Sequence, residues 1–305
     1  MQMRMLLVVV GIAALSGTVD LSLAAEQPEF MEGFTAYQAQ DYPRCAHILE
    51  GVWRAGMPAP QKFVLLPAEC LAAAGQADAA LRYLDEELPR GRIAMDDLRA
   101  KDAPGLNALR KTAGWPALLT KAEQVNAQQR ATWDQPLRDQ LLVRLRKDQQ
   151  VRSEVFVDGK ASGDWKKLLA VDRDNTVWLK EVVASKGWPG NRLVGVEGAS
   201  AALLLVQHAD ADPAFQQQML PVLEAALTRQ DVAADDVALL TDRVLRAQGK
   251  PQRYGTQFKP GGDGSMALEP TEDEAGLDAR RRAVGLPSMA VYKRMLGEAY
   301  HTPVR

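Results

Sequence analysis

Apolar residues recur along most of this chain at helical spacing, three and four apart, while strict alternation is rare. A stripe of Val177, Leu179, Val182 and Val183 predicts a helix ending at Gly187, and Trp188 before Pro189 is expected to be extended. The run from about 198 to 208, "GASAALLLVQH", is apolar on every side over Ala201–Val206, so it predicts a buried central helix. "DPAFQQQMLPVLEAALTRQ" and "DVAADDVALLTDRVLRAQG" predict two more helices. Only after Gly249 does the pattern lapse: "QRYGTQFKPGGDGSMALEP" predicts two short strands and a Gly-rich turn over about 252–270. Final helices are expected at about 272–284 and 288–299. The predicted fold is mostly α with one small β-hairpin.

Upstream, "AYQAQDYPRCAHILEGVW" (36–53) aligns with "LAAAGQADAALRYLDEEL" (71–88), placing Gln40 over Gly75, Cys45 over Ala80 and Leu49 over Leu84, an offset of 35 residues. This helix, tight turn, helix pattern resembles the tetratricopeptide repeat, whose period is about 34 residues. The resemblance covers roughly 28–90, and "DDLRAKDAPGLNALRKTAGWPALL" reads as capping helices. Because each repeat buries its apolar face only on its neighbours, so short an array is expected to lean on the C-terminal part of the chain. The expected domains are a repeat array over 25–119 and a helical domain over 120–305. Pro136 must kink or restart the long Gln-rich helix that begins the second.

Composition adds a compartment and removes some chemistries. Arg4 precedes the apolar "MLLVVVGIAALS" (5–16), too short for a span of about 20 residues, and "SLAAEQ" offers small residues for cleavage. Residues 1–24 therefore read as a signal peptide, and the mature chain is expected in the periplasm or outside the cell, without stable membrane insertion. The formal net charge is -2, with no basic stripe of the kind nucleic acid requires. The cluster Arg280, Arg281 and Arg282 is expected to place at least two arginines on a solvated helical face. In an oxidising compartment Cys45 and Cys70 are expected to form a disulfide, the alternative being two buried thiols.

In the C-terminal half "DQQVR" (148–152), "DRDNTVWLKEVV" (172–183), "GWPG" (187–190), "LVGVEGASAALLLVQHAD" (193–210), "DRV" (242–244), "QRYGTQ" (252–257) and "EDEAGLDARRRAVGL" (272–286) occur in order. Together they resemble a bacterial domain family of unknown function, over about 136–298. The resemblance implies no activity. It does imply that Gln207, His208, Asp242, Arg243, Tyr254, Gly255, Gln257, Glu272, Asp273 and Arg281 occupy pattern positions of that family.

Each of these residues has a plain structural explanation beside the functional one. His208 would interact well with the negative end of its helix. Asp212 before Pro213 is a natural N-cap. Asp242 is placed to pair with Arg246, and Thr271 with Glu274 matches a capping box. "YGTQ", expected on a strand, would fasten the hairpin to the helices. No GxSxG, HExxH, P-loop or dinucleotide motif occurs. With three histidines a multi-histidine metal site is implausible and no cofactor is expected, which leaves His208 with one or two carboxylates as the open metal alternative.

The leading expectation is an exported interaction or ligand-binding protein. Its repeats would meet a protein or peptide, and a polar pocket of Gln207, His208, Arg243, Tyr254, Gln257 and Arg281 would hold a small anionic ligand. The competing expectation is a hydrolase in which His208 acts as general base, oriented by Asp242, Glu272 or Asp273, with Arg243 or Arg281 holding an anion. A third reading is a helical domain whose polar motifs only specify its packing.

Overall fold

The computed structural model describes residues 30–57, 59–157, 160–161, 164–229 and 231–305. The leader expected at 1–24 lies outside them. Among the described residues no helix is long and apolar enough to cross a membrane. Contacts divide the chain into two units, one formed by 134–190 with 197–305, the other by the described residues up to Trp133 with 191–196.

The N-terminal unit is a run of seven helices among its described residues: α1 (Phe30–Gln38), α2 (Tyr42–Arg54), α3 (Leu66–Ala73), α4 (Ala77–Glu87), α5 (Met95–Ala100), α6 (Pro104–Leu109) and α7 (Trp115–Arg130). Sequential pairs α1–α2, α2–α3 and α3–α4 pack on one another. The offset of 35 residues is a physical repeat. Gln40 and Gly75 both turn the chain with a left-handed backbone, at φ 59° and 79°. The closing bonds also correspond, Asp41 N to Ala36 O and Gln76 N to Leu71 O. Cys45 and Ala80, and likewise Leu49 and Leu84, are buried where these hairpins meet the core.

Two features brace the unit. Cys45 on α2 and Cys70 on α3 form a disulfide, their Cα atoms 5.6 Å apart and 25 positions apart in sequence. Closing a loop of that length removes unfolded-state freedom worth about 3–4 kcal/mol. The buried Glu69 carboxylate accepts the Gly105 and Leu106 amides at 2.9 and 2.6 Å, fastening α6 to α3. α7 packs on α4 and α5, which carries the first unit past the expected boundary at 119.

The second unit begins as a fresh helix. Asp134 accepts the Leu137 amide and Pro136 takes an early position of α8 (Gln135–Val155), where its missing N–H costs nothing. A two-residue hairpin, β1 (Phe156–Val157) with β2 (Lys160–Ala161), comes next, paired antiparallel; the sequence pattern did not predict it. α9 (Trp165–Lys186) packs back on α8. Its buried face is Leu168, Val171, Leu179 and Val182, with Asp172, Asn175 and Thr176 between them. Val177, expected on that stripe, is instead 54% exposed.

α10 (Asn191–Gln207) is broken at Gly195, whose φ of 69° and approach to the Trp133 ring leave no room for a side chain. Beyond the break, Ala201, Ala202, Leu203, Leu205 and Val206 are buried, as a helix without a polar face requires. α11 (Pro213–Leu227) opens on the Asp212 N-cap, which accepts the Phe215 amide at 3.0 Å. It packs on α12 (Ala234–Ala247).

The hairpin is shorter than expected. β3 (Phe258–Pro260) pairs antiparallel with β4 (Met266–Leu268), Phe258 opposite Leu268. Residues 253–257 form an irregular loop instead of a strand, because their amides turn inward to a helix. A 3-10 turn at Glu274–Gly276 leads into α13 (Leu277–Ala283), and α14 (Met289–Tyr300) closes the unit. The described residues are mostly helical.

Candidate functional site

α8 places Asp148 and Arg152 one turn apart, on the stripe that also buries Leu137, Leu141, Val151 and Val155. Asp172 comes from the buried face of α9, and His208 from the end of α10. These side chains meet. His208 Nδ1 lies 2.8 Å from Asp148 Oδ1, and the Arg152 guanidinium sits among the other groups: Nε is 2.9 Å from His208 Nδ1 and 3.3 Å from Asp148 Oδ2, and the Nη2 atom is 2.5 Å from Asp172 Oδ1. Gln149 also donates to Asp148 Oδ2, at 2.8 Å.

A second layer ties this cluster to the next two helices. Gln216 of α11 donates to the Val206 and Gln207 carbonyls and to Asp210, fixing the chain just after α10. Asp210 accepts Arg243 Nη1 of α12 at 2.5 Å. Asp210 is the outward member, its side chain 47% exposed, while Arg243 is buried.

Protonation is set by this geometry. Burial pushes the Asp148 carboxyl up, but its bond to His208 and the neighbouring Arg152 outweigh that and hold it below the usual range. His208 Nδ1 faces both an acceptor and a donor: in one tautomer it gives its proton to the Asp148 carboxylate at 2.8 Å, and in the other it accepts the Arg152 Nε–H at 2.9 Å. Burial holds the His208 ring neutral, pushing it below its ordinary value against the pull of Asp148, with Arg152 and Arg243 acting the same way as burial. With the proton on Nδ1, Nε2 is a bare lone pair, and at 3% exposure of the residue it has no hydrogen-bond partner in the protein. Gln207 Nε2 and Arg243 Nε are also buried and without a protein partner. Burial raises Asp172 to about 6, with Asp148 adding to the rise and Arg152 opposing it.

The profile of a family of unknown function, DUF6624, matches residues 134–305. The chain belongs to this family. No curated protein and no solved structure matches the chain. The DUF6624 match begins at the residue where the second structural unit begins, so the His208 cluster is made entirely of residues from the family domain.

Within the DUF6624 domain the anticipated residues fall into two networks. His208 and Arg243 belong to the cluster around Asp148, and Gln207 joins it through its carbonyl, which accepts from Gln216. Asp242, Tyr254, Gln257 and Arg281 belong to another. Asp242 accepts the Arg253, Tyr254 and Thr256 amides at 2.7, 3.0 and 2.9 Å and the Thr256 hydroxyl at 2.9 Å. It therefore does not pair with Arg246, which reaches Glu269 and the Lys250 carbonyl. Gln257 gives its amide to Gln252 Oε1 and its side chain to Thr256. Arg281, 0% exposed, donates to the Tyr254, Gly255 and Pro287 carbonyls and stacks on Tyr292. Three of its bonds brace the loop and the turn at Pro287, while its Nη2 has no protein partner. Gly255, at φ 64°, faces the Met289 methyl group, so the space it leaves is filled by the protein.

Glu272 and Asp273 lie at the rim of this second network. Glu272 pairs with Arg253 at 3.0 Å, and Asp273 with Arg280 at 2.9 Å. Asp273, not Thr271, caps the next turn, accepting the Gly276 amide. The carboxylate that orients His208 is thus Asp148, in place of the expected Asp242, Glu272 or Asp273. Of the three consecutive arginines one is exposed: Arg282 faces solvent, Arg280 is half-buried and Arg281 is fully enclosed.

Asp148, Arg152 and Asp172 were not singled out as site residues, although they sit in "DQQVR" and "DRDN". The available signal was positional. Each carboxylate occupies a place that helical spacing assigns to the buried face, where an unpaired charge is too costly to persist.

Proposed function

We propose that this chain is an exported ligand-binding protein whose DUF6624 domain holds a small polar ligand at the His208 cluster. The observation that carries the reading is the state of His208: its Nδ1 is tied to Asp148, and its buried Nε2 has no protein partner. Buried polar atoms are nearly always satisfied, and an orphan costs about 1–3 kcal/mol. Arg243, whose charge acts on the His208 ring, keeps its Nε unpartnered, and Arg152 lies at the solvent edge with its side chain 18% exposed. The leader-like residues 1–24 support export. The 35-residue echo of turns and buried positions supports a tetratricopeptide-like array offering a helical surface to a protein or peptide.

The test is thermal unfolding of the mature protein and of His208→Gln against sugars, peptides, carboxylates and phosphorylated compounds. A ligand at about 100 times its Kd adds about 2.7 kcal/mol, a rise of several degrees at about 2–4 °C per kcal/mol. The expected result is a compound that raises wild type and leaves a folded His208→Gln unmoved. If nothing shifts wild type, or both proteins shift equally, the reading fails.

A second reading is supported by the same hydrogen bond. A carboxylate that fixes one imidazole nitrogen and leaves the other bare is the arrangement of a general base, here one that would take a proton from water attacking an ester or phosphoester. Turnover of such substrates that disappears in His208→Gln would favour hydrolysis over binding.

A further inference from the structure

The charges of the His208 cluster do not balance. Asp148 and Asp172 share one guanidinium, that of Arg152, while Arg243 is engaged with Asp210 and His208 is neutral. One negative charge is left over in a place where two of the three ionised groups are buried. Burying an uncompensated charge costs several kcal/mol, so the cluster favours an additional positive charge.

Its geometry suits a cation as well as its charge does. One oxygen each of Asp148 and Asp172 and one ring nitrogen of His208 lie within 4.8 Å of one another. Ligand bonds of about 2.0–2.2 Å place donors within roughly 4 Å of each other, so closure needs only a small contraction. Arg152 already contacts all three groups from the position a cation would take, and its partial exposure gives the guanidinium a way out.

We propose that Asp148, Asp172 and His208 form a divalent-cation site in which Arg152 is an internal, displaceable cation. Exchanging Arg152 for a divalent ion changes the cluster from one surplus negative charge to neutral. Nδ1 gives its lone pair to the ion and the ring proton moves to Nε2, where no protein atom competes for it. The ring stays neutral and no proton is lost. Two carboxylates and one imidazole suit manganese, iron(II) or zinc better than calcium, which prefers six to eight oxygens. With the ion bound, Nε2 becomes a donor like Arg243 Nε, and Arg152 is free, an arrangement that would admit an anionic ligand. The metal site itself does not rest on that reading.

The experiment is calorimetric titration of the mature, tag-free, EDTA-treated protein with manganese and zinc chlorides, with no other ligand present. Saturable binding of one ion is expected, weakened at least about tenfold by Asp172→Asn, which removes a ligand and also the surplus charge. Arg152→Met should bind about tenfold more tightly, and if it unfolds alone the added metal should restore its native circular dichroism. No saturable binding in wild type and Arg152→Met, or binding indifferent to Asp172→Asn, would overturn the proposal. An organic-ligand screen repeated in EDTA keeps the two ideas apart, since the ligand reading can fail while the metal binds, and the reverse.

Discussion

Asp242 and Arg243 are consecutive residues of α12, yet they serve networks of opposite kind. Asp242 spends both oxygens on the main chain and hydroxyl of residues 253–256, and Arg281 reaches the carbonyls of the same loop from the other side. Those bonds run from a charged side chain to neutral backbone, and they hold a loop that has no strand pairing of its own. Arg243 belongs to a cluster in which charged side chains meet one another, with one carboxylate in excess. Unpartnered atoms occur in both, Gln257 Oε1 and Arg281 Nη2 among them. The type of partner and the charge balance separate the two networks. Backbone-directed charges fix a fold, whereas the mutually directed, unbalanced charges are the basis of the ligand and cation sites proposed above.

The largest effect should come from Asp242→Asn. The new amide group would face backbone N–H donors, costing about 3–5 kcal/mol in urea unfolding. A loss below about 1 kcal/mol would remove the distinction between the networks. Arg281→Met should cost about 2 kcal/mol, because three carbonyls lose a charged donor. Combined with Asp242→Asn it should cost less than the sum, since both hold one loop; strict additivity would show that they act separately.

Asp212 calibrates an ordinary capping residue beside these. Its replacement by Ala should cost about 1 kcal/mol at pH 7. The Lys180 ammonium and the Phe215 amide hold its carboxyl below the usual value. That stabilisation is complete above the ordinary carboxylate range and is lost as pH falls through the depressed value. The wild-type and Asp212→Ala stabilities should therefore converge in acid, and a gap that stays constant would contradict the assignment. The smallest effect is expected from His208→Gln, within about 1 kcal/mol, because Asp148 keeps Gln149 and Arg152 as donors. A loss of 3 kcal/mol or more would make this network structural too.

Much of the helical architecture was legible because apolar spacing is a local property. The buried run at Ala201–Val206, the cap at Asp212 and the turn geometry shared by Gln40 and Gly75 are all set by neighbours in sequence. The short strands were misplaced because Asp242, more than ten positions away, draws the 253–256 amides inward and overrides their alternation. The site was legible only in part. His208 and Arg243 stood out by residue type and motif, whereas Asp148 and Asp172 were marked only by their place on the buried stripes of α8 and α9. Helical spacing could give their burial but not their partners, which meet only when α8 and α9 pack face to face.

The most direct test of the central claim is the protonation state of the His208 ring, read by long-range proton–nitrogen correlation NMR on the EDTA-treated protein near pH 7. His208→Gln assigns the signal among the three histidines. A neutral ring with its proton on Nδ1 and a pyridine-type Nε2 is the predicted result. A proton on Nε2, or a charged ring, would mean that Asp148 does not hold His208 in the bare-nitrogen state on which the proposed ligand site depends.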